Sequence, residues 1–174
     1  MHVANGVLTL HAERRSCTDE QGITHPYASG MVTTGYSKFL YTYGLLEVRV
    51  WLPPGETQTP VDWPGVWESG ANFPQDGELD IMEVQGRRLC WRFHYSSGAP
   101  SACPAVPEVG GWHVFSADWE PTYIKFYYDG QRVGKVTSGV TNAPMKINID
   151  LALSSNIVVP VDVKVEYVRL WKPD

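Results

Sequence analysis

Three carboxylates stand in one short apolar stretch, Gly77-Glu78-Leu79-Asp80-Ile81-Met82-Glu83-Val84. A solvated strand face usually mixes charges of both signs with Thr or Ser. Here every polar position is an acid, so the segment carries mutual repulsion with no cation of its own to relieve it. Folding alone gives no reason for that arrangement. In a regular strand Glu78 and Asp80 share a face and Glu83 points to the other. One bulged residue at Ile81–Met82 would shift the phase and bring Glu83 round to join them. The long glutamate side chains at the two ends could then converge to about 5–5.5 Å, the separation at which one carboxylate reaches an anomeric carbon directly while the other protonates the leaving oxygen. Such a pair needs one member ionised and the other protonated near neutral pH, and Asp80 between them would help hold those states apart. Two plainer readings stay open at this point. The acids could face solvent on an edge strand, or they could bind calcium, although a strand spreads its ligands along a line rather than around an ion.

The rest of the chain supplies strands to hold this segment. Period-two alternation and short apolar runs replace helical periodicity almost everywhere. They predict strands at Val7–Ala12, Gly30–Thr34, Gly44–Leu52, Gly65–Trp67, Glu78–Val84, Leu89–Tyr95, Val114–Trp119, Tyr123–Tyr128, Gln131–Val136, Met145–Leu153 and Val163–Trp171. Asp129-Gly130 supplies the two positive-φ positions of a tight hairpin between two β-rich arms. Ten or eleven short strands with Pro/Gly-rich connections predict an all-β protein: a two-sheet antiparallel β-sandwich of jelly-roll (concanavalin-like) type. That architecture hosts lectins, structural modules and enzymes alike, so it does not choose among them.

With 174 residues, 43% of them hydrophobic, the chain can bury a core within one domain. A net charge of -5 argues against a nucleic-acid partner, and no apolar run approaches the length of a bilayer span. Neither a phosphate-binding glycine loop nor zinc-type Cys/His spacing occurs, so no cofactor or metal is expected. Seven Trp and nine Tyr exceed the needs of a core this size; they pack the sheets or offer flat platforms to sugar rings. Cys90 and Cys103 lie close enough in sequence to bridge a loop, leaving Cys17 over; the alternative is three buried thiols. With no leader ahead of His2, the chain is either cytoplasmic or trimmed.

Glu78-x-Asp80-x-x-Glu83 resembles the signature of glycoside hydrolase family 16, a jelly-roll family, and the likeness extends well beyond it. Tyr43–Pro53 resembles the family strand that ends in a Pro/Gly loop, and Trp63-Pro64-Gly65-Val66-Trp67 its Trp-Pro-x-x-Trp segment. Asp118–Pro121 with Phe126–Gly130 resembles its late hairpin, and Val165–Trp171 its closing strand. These blocks fall in the family's order across nearly the whole chain. The resemblance implies a retaining endo-glycosidase with Glu78 as nucleophile, Asp80 as its assistant and Glu83 as acid/base. It also implies that Trp63 and Trp67 line the sugar cleft and that His94 touches the sugar near the scissile bond. Arg49 is a further candidate for the cleft unless it pairs with Glu47. Trp91, Trp112 and Trp119 are assigned to the core by default.

The two-residue spacer Ile81-Met82 resembles that of the endo-β-1,3-glucanases, agarases, carrageenases and porphyranases, among which β-1,3-glucan is the commonest substrate. No Arg or Lys lies between Thr57 and Gln85, which suits a neutral glucan; Arg87 and Arg88, just beyond, keep a sulfated galactan open. Two departures stand out. The segment that usually precedes the family's Gly-x-Leu-x-Leu strand is absent, as in a minimal enzyme, a fragment or an engineered piece. Glu166 also stands where many members have an Asp that can hold a structural calcium, and that ion is not expected here. The competing functions are transglycosylation at the same site and a lectin-like binding module using Trp63 and Trp67 without chemistry. Because a polysaccharide is too large to import, the expectation is a secreted monomer.

Overall fold

Along Gly44–Leu52 every second residue is buried, the mark of a strand with one dry face and one wet face. The same alternation over Tyr123–Tyr128 and the start of Val161–Trp171 sets the pattern for the whole molecule. The computed structural model describes residues 1–53, 62–85, 88–105, 109–155 and 157–172, and in these it has strands and turns with no helix. In chain order the strands are β1 (His2–Ala4), β2 (Val7–Ala12), β3 (Cys17–Thr18), β4 (Thr24–His25) and β5 (Met31–Thr33). Then come β6 (Gly44–Leu52), β7 (Trp63–Ser69), β8 (Glu78–Gln85), β9 (Arg88–His94) and β10 (Ser101–Ala102). The last five are β11 (Gly111–Glu120), β12 (Tyr123–Tyr128), β13 (Gln131–Val136), β14 (Lys146–Ala152) and β15 (Val161–Trp171).

A seven-stranded sheet runs β1-β2-β15-β6-β11-β12-β13, and a six-stranded sheet runs β10-β9-β8-β7-β14-β5. A short β3-β4 hairpin stands apart from both. The two large sheets stack through their dry faces, with Leu46, Val48 and Phe126 from one meeting Leu79, Phe93 and Ile149 from the other in a single cluster. The sandwich follows the sequence expectation, and the eleven expected strands all form, with ends shifted by up to three residues. Four strands escaped it. β3, β4 and β10 have two residues each, too few to show a period. β1 did leave a signal: Asn5-Gly6, both at positive φ, is the hairpin turn that pairs it with β2.

Trp91 and Trp119 are core residues as expected, Trp91 stacked on Phe126. Trp112 is not: it is 36% exposed on the outer face of the seven-stranded sheet, with the Arg49 guanidinium 4.9 Å from its ring centre. Its place on β11 is directly across from Trp51, an outward position of β6. Of the two cysteine arrangements, the bridged one forms: Cys90 and Cys103 are disulfide-linked and Cys17 is free.

One core residue is an acid. Glu68, on the dry face of β7, is fully buried; Tyr41 donates a hydrogen bond to its Oε1, and Oε2 has no hydrogen-bond partner among the described residues. Burial pushes its pKa up to about 8, against the smaller opposing effect of the Tyr41 bond. The unfolded chain ionises this group near 4.5 and the folded chain near 8, so unfolding releases the proton throughout that window. Stability therefore falls as pH rises through it, by up to roughly 1.4 kcal/mol per unit. Glu68→Gln keeps an acceptor for Tyr41 and removes the titration. In urea unfolding the variant is expected to outlast the parent at pH about 7.5 and to lose that advantage near pH 4; an equal advantage at both would contradict this reading.

Candidate active site

Gly77 starts the acidic strand. It sits at φ 89°, and a Cβ there would stand 2.6 Å from Thr141 Oγ1 and 2.9 Å from Met145 Cε. From this turn β8 runs between β7 and β9 and carries an irregularity against both. Against β7, Val66 pairs with Met82 and Trp67 with Asp80, passing over Ile81. Against β9, Asp80 pairs with Arg92 and Glu83 with Cys90, so three steps on β8 face two on β9. This is a one-residue bulge where the sequence placed it. Leu79, Ile81, Met82 and Val84 all join the core, while Glu78, Asp80 and Glu83 line one cleft on the opposite face of the sheet.

That cleft encloses about 460 Å³. Trp63 and Trp67 from β7, Gln85 from β8, Arg92 and His94 from β9, and Asp150 from β14 complete its polar and aromatic lining. Gly65, directly across from Glu83, keeps the floor low; a Cβ there would come within 3.0 Å of Asp150 Oδ1 and 3.2 Å of the Trp67 ring. Trp63 is 44% exposed and donates its indole N–H to Glu83 Oε2 at 3.1 Å. Trp67 donates to Asp150 Oδ1 at 2.7 Å. His94 Nε2 stands 3.6 Å from Asp80 Oδ2 and 3.8 Å from Glu78 Oε1. Glu78, Asp80 and His94 each bring a donor atom within 4.8 Å of the others, so these three could also hold a cation.

Crowding sets the proton balance. Burial raises the Glu78 pKa, and the charge of Glu83 raises it further. Asp80 is pushed well above the usual carboxylate range by burial and then by Glu83 and Glu78, with Arg92 opposing. Burial also raises Asp150, against the Trp67 hydrogen bond. His94 is lowered by burial and by the Arg92 charge, which leaves it a neutral imidazole near neutral pH. Burial and the glutamate charges thus favour the neutral form of Asp80 beside Glu78 and Glu83.

The structure gathers six of the seven residues singled out from the sequence: Glu78, Asp80, Glu83, Trp63, Trp67 and His94. Arg49 is the exception. It lies on β6 in the other sheet, pointing outward, where it bonds Glu166 and covers Trp112. Its expected partner Glu47 instead accepts a hydrogen bond from the Tyr167 hydroxyl at 2.9 Å. Period two on β6 gives Arg49 a wet face but cannot say on which side of the sandwich that face lies. Arg88 is exposed and donates to the Cys103 carbonyl at 2.5 Å, and Arg87 lies outside the described residues. Sequence reading missed Gln85, Arg92 and Asp150, although alternation carried the signal for the first two: Gln85 is two residues past Glu83, and Arg92 two before His94. It also missed Phe73, an exposed loop ring 5.6 Å from the His94 ring, centre to centre.

An antiparallel sandwich with paired acids and tryptophans in a cleft on one sheet defines a carbohydrate-active β-sandwich protein. Residues 2–157 match the model of glycosyl hydrolases family 16, and the chain belongs to that family. Among solved structures, the endo-beta-1,3-glucanase from Pyrococcus furiosus superposes with a TM-score of 0.82 at 28% identity, covering 98% of this chain and 76% of that one. The laminarinase catalytic domain from Thermotoga maritima gives 0.81 at 26% identity, covering 99% and 80%. An endo-1,3-1,4-beta-glycanase of Rhizobium meliloti is 27% identical over 188 residues, covering 99% of this chain but 39% of its own length. This chain thus spans less than half of that relative.

Proposed function

We propose that this chain is a single catalytic domain that cleaves β-1,3- or mixed β-1,3/1,4-glucan internally, with retention of configuration. The observation that carries this reading is the bulge in β8, which turns Glu83 onto the face of Glu78 and Asp80 with Trp63 and Gln85 bonded to its carboxyl. A sugar stacks on the open face of Trp63 beside the acid its N–H fixes. Glu83 protonates the glycosidic oxygen while Glu78 attacks the anomeric carbon, forming a covalent glycosyl-enzyme. Water then enters, Glu83 takes its proton, and the Glu78 ester is released. Asp80, whose neutral form burial and the glutamate charges favour, stands beside the nucleophile.

The cleft lining favours a neutral chain. Among the described residues it holds four acids, Glu78, Asp80, Glu83 and Asp150, against the single guanidinium of Arg92, so its oxygens suit sugar hydroxyls better than sulfate or carboxylate substituents. The relatives above are named for β-1,3- or β-1,3-1,4-linkages, which supports the linkage proposed. A polymeric glucan, too large to import, places the enzyme outside the cell.

Reducing-end release from laminarin, mixed-linkage glucan, agarose and carrageenan, with Glu83→Ala as control, tests the proposal. Release from a glucan that vanishes in the control is expected; release from a galactan alone would replace the substrate, and silence on all four with the fold intact would favour a binding module. The pH profile adds a second check. Glu78 must be ionised to attack, and its pKa is raised, so activity is lost on acidification at a higher pH than an ordinary glutamate near 4.3 would set. An acid limb of kcat/KM at or below that value would contradict the burial and the Glu83 charge assigned to it.

A further inference from the structure

Glu83 is held by more than the tryptophan beside it. Gln85, two residues on along β8, donates its side-chain N–H to Glu83 Oε1 at 2.9 Å. The other end of that amide is fixed from the neighbouring strand: Arg92 Nη2 donates to Gln85 Oε1 at 2.8 Å. Arg92 Nε, buried and without a hydrogen-bond partner among the described residues, stands 3.6 Å from Glu83 Oε1. Nothing in the reaction as described above uses Gln85 or Arg92.

The chemistry of these donors is one-sided. A guanidinium has only N–H groups, so the amide atom facing Arg92 must be the oxygen, and the atom facing Glu83 must be the NH2. The Trp63 indole on Oε2 is likewise only a donor. Both Glu83 oxygens therefore face N–H groups, and neither neighbour accepts a proton. When Glu83 is protonated, its hydrogen has no acceptor in Trp63 or Gln85 and must lie on a remaining lone pair.

We propose that Arg92, acting through Gln85, is a positioning residue that turns the Glu83 acid proton into the cleft. The inference rests on the acid/base role given to Glu83 above. Without Arg92 the Gln85 amide is free to flip, its oxygen accepts the Glu83 proton, and the acid donates to its neighbour instead of to the glycosidic oxygen. The other charged or titratable groups around that carboxyl are Glu78 and Asp80 on its own strand, His94 on β9, Asp150 on β14 and the buried Tyr128 on β12. Arg92 is the only permanent cation in this set.

The test uses the whole chain with Arg92→Met and Arg92→Lys, and compares kcat/KM on laminarin with kcat/KM on an aryl glycoside whose dinitrophenolate leaves without a proton. For Arg92→Met a loss of about tenfold or more is expected on laminarin, and less than about threefold on the aryl glycoside. Arg92→Lys keeps a donor-only group for Gln85 Oε1, so its loss on laminarin should be smaller than that of Arg92→Met. If Arg92→Met does not fold, Arg92→Gln replaces the donor-only guanidinium with an amide that no longer fixes Gln85, and should show the same contrast between the two substrates. Equal losses on both substrates would reduce Arg92 to a structural role. A rise in KM with kcat held would make it a substrate contact, and either result overturns the proposal. An active parent whose variants share its profile defeats this inference alone, whereas a parent inactive on laminarin and on the aryl glycoside defeats the assignment of Glu83 itself.

Discussion

Glu78→Ala is expected to lower kcat on glucan by roughly 10⁴- to 10⁶-fold, the loss that follows when a covalent nucleophile is removed from a site that keeps its other parts. The fold should survive. Glu78 is a half-buried acid raised by burial and by the charge of Glu83, so its removal relieves repulsion and leaves the thermal midpoint level or higher. Added azide makes the test specific. A small anion can occupy the space the carboxylate vacates, and Glu83 can still protonate the leaving group. A single displacement from that side gives an α-glycosyl azide. Rescue with a β-azide product, or activity close to that of the parent, would remove Glu78 from the nucleophile's position.

Glu83→Ala should behave differently in kind. On glucan, whose sugar leaving group needs a proton, a loss of about 10²- to 10⁴-fold is expected. On a dinitrophenyl glycoside the first step needs no acid, so kcat/KM should stay within about tenfold of the parent while kcat falls because the glycosyl-enzyme accumulates. Azide needs no general base, and its attack on that intermediate gives two inversions and a β-glycosyl azide. The opposite stereochemistry of the two rescued products separates the roles of two glutamates only five residues apart. Equal losses on both substrates, with no azide effect, would contradict the acid/base assignment.

Local pattern made much of this molecule legible. Alternation is a property of single strands, and it located the long strands of both sheets to within a few residues. The bulge was legible for the same reason: three acids could share one face only if a residue between Asp80 and Glu83 dropped out of phase, and Ile81-Met82 was the apolar pair left to do it. The pairing of strands was less accessible, since Arg49 and Arg92 both stand at outward positions of amphipathic strands. Only the order β9-β8-β7-β14 in one sheet, with β6 in the other, puts Arg92 in the cleft and Arg49 on the far side of the sandwich. Trp112 misled because a tryptophan in a strand usually marks the dry face, whereas here Arg49 covers it on the wet one. Asp150 was hidden because it acts across a strand pair, through the Trp67 indole, and no spacing along the chain encodes that contact.

The measurement that bears most directly on the central claim is the proton NMR spectrum of the reducing end released from laminarin in the first minutes of reaction, before mutarotation mixes the anomers. Retention through a Glu78 ester predicts that the β-anomer appears first and the α-anomer grows in later at the spontaneous rate. An α-anomer formed first would mean a single displacement by water, and would contradict a nucleophilic Glu78 on the face the β8 bulge gives it.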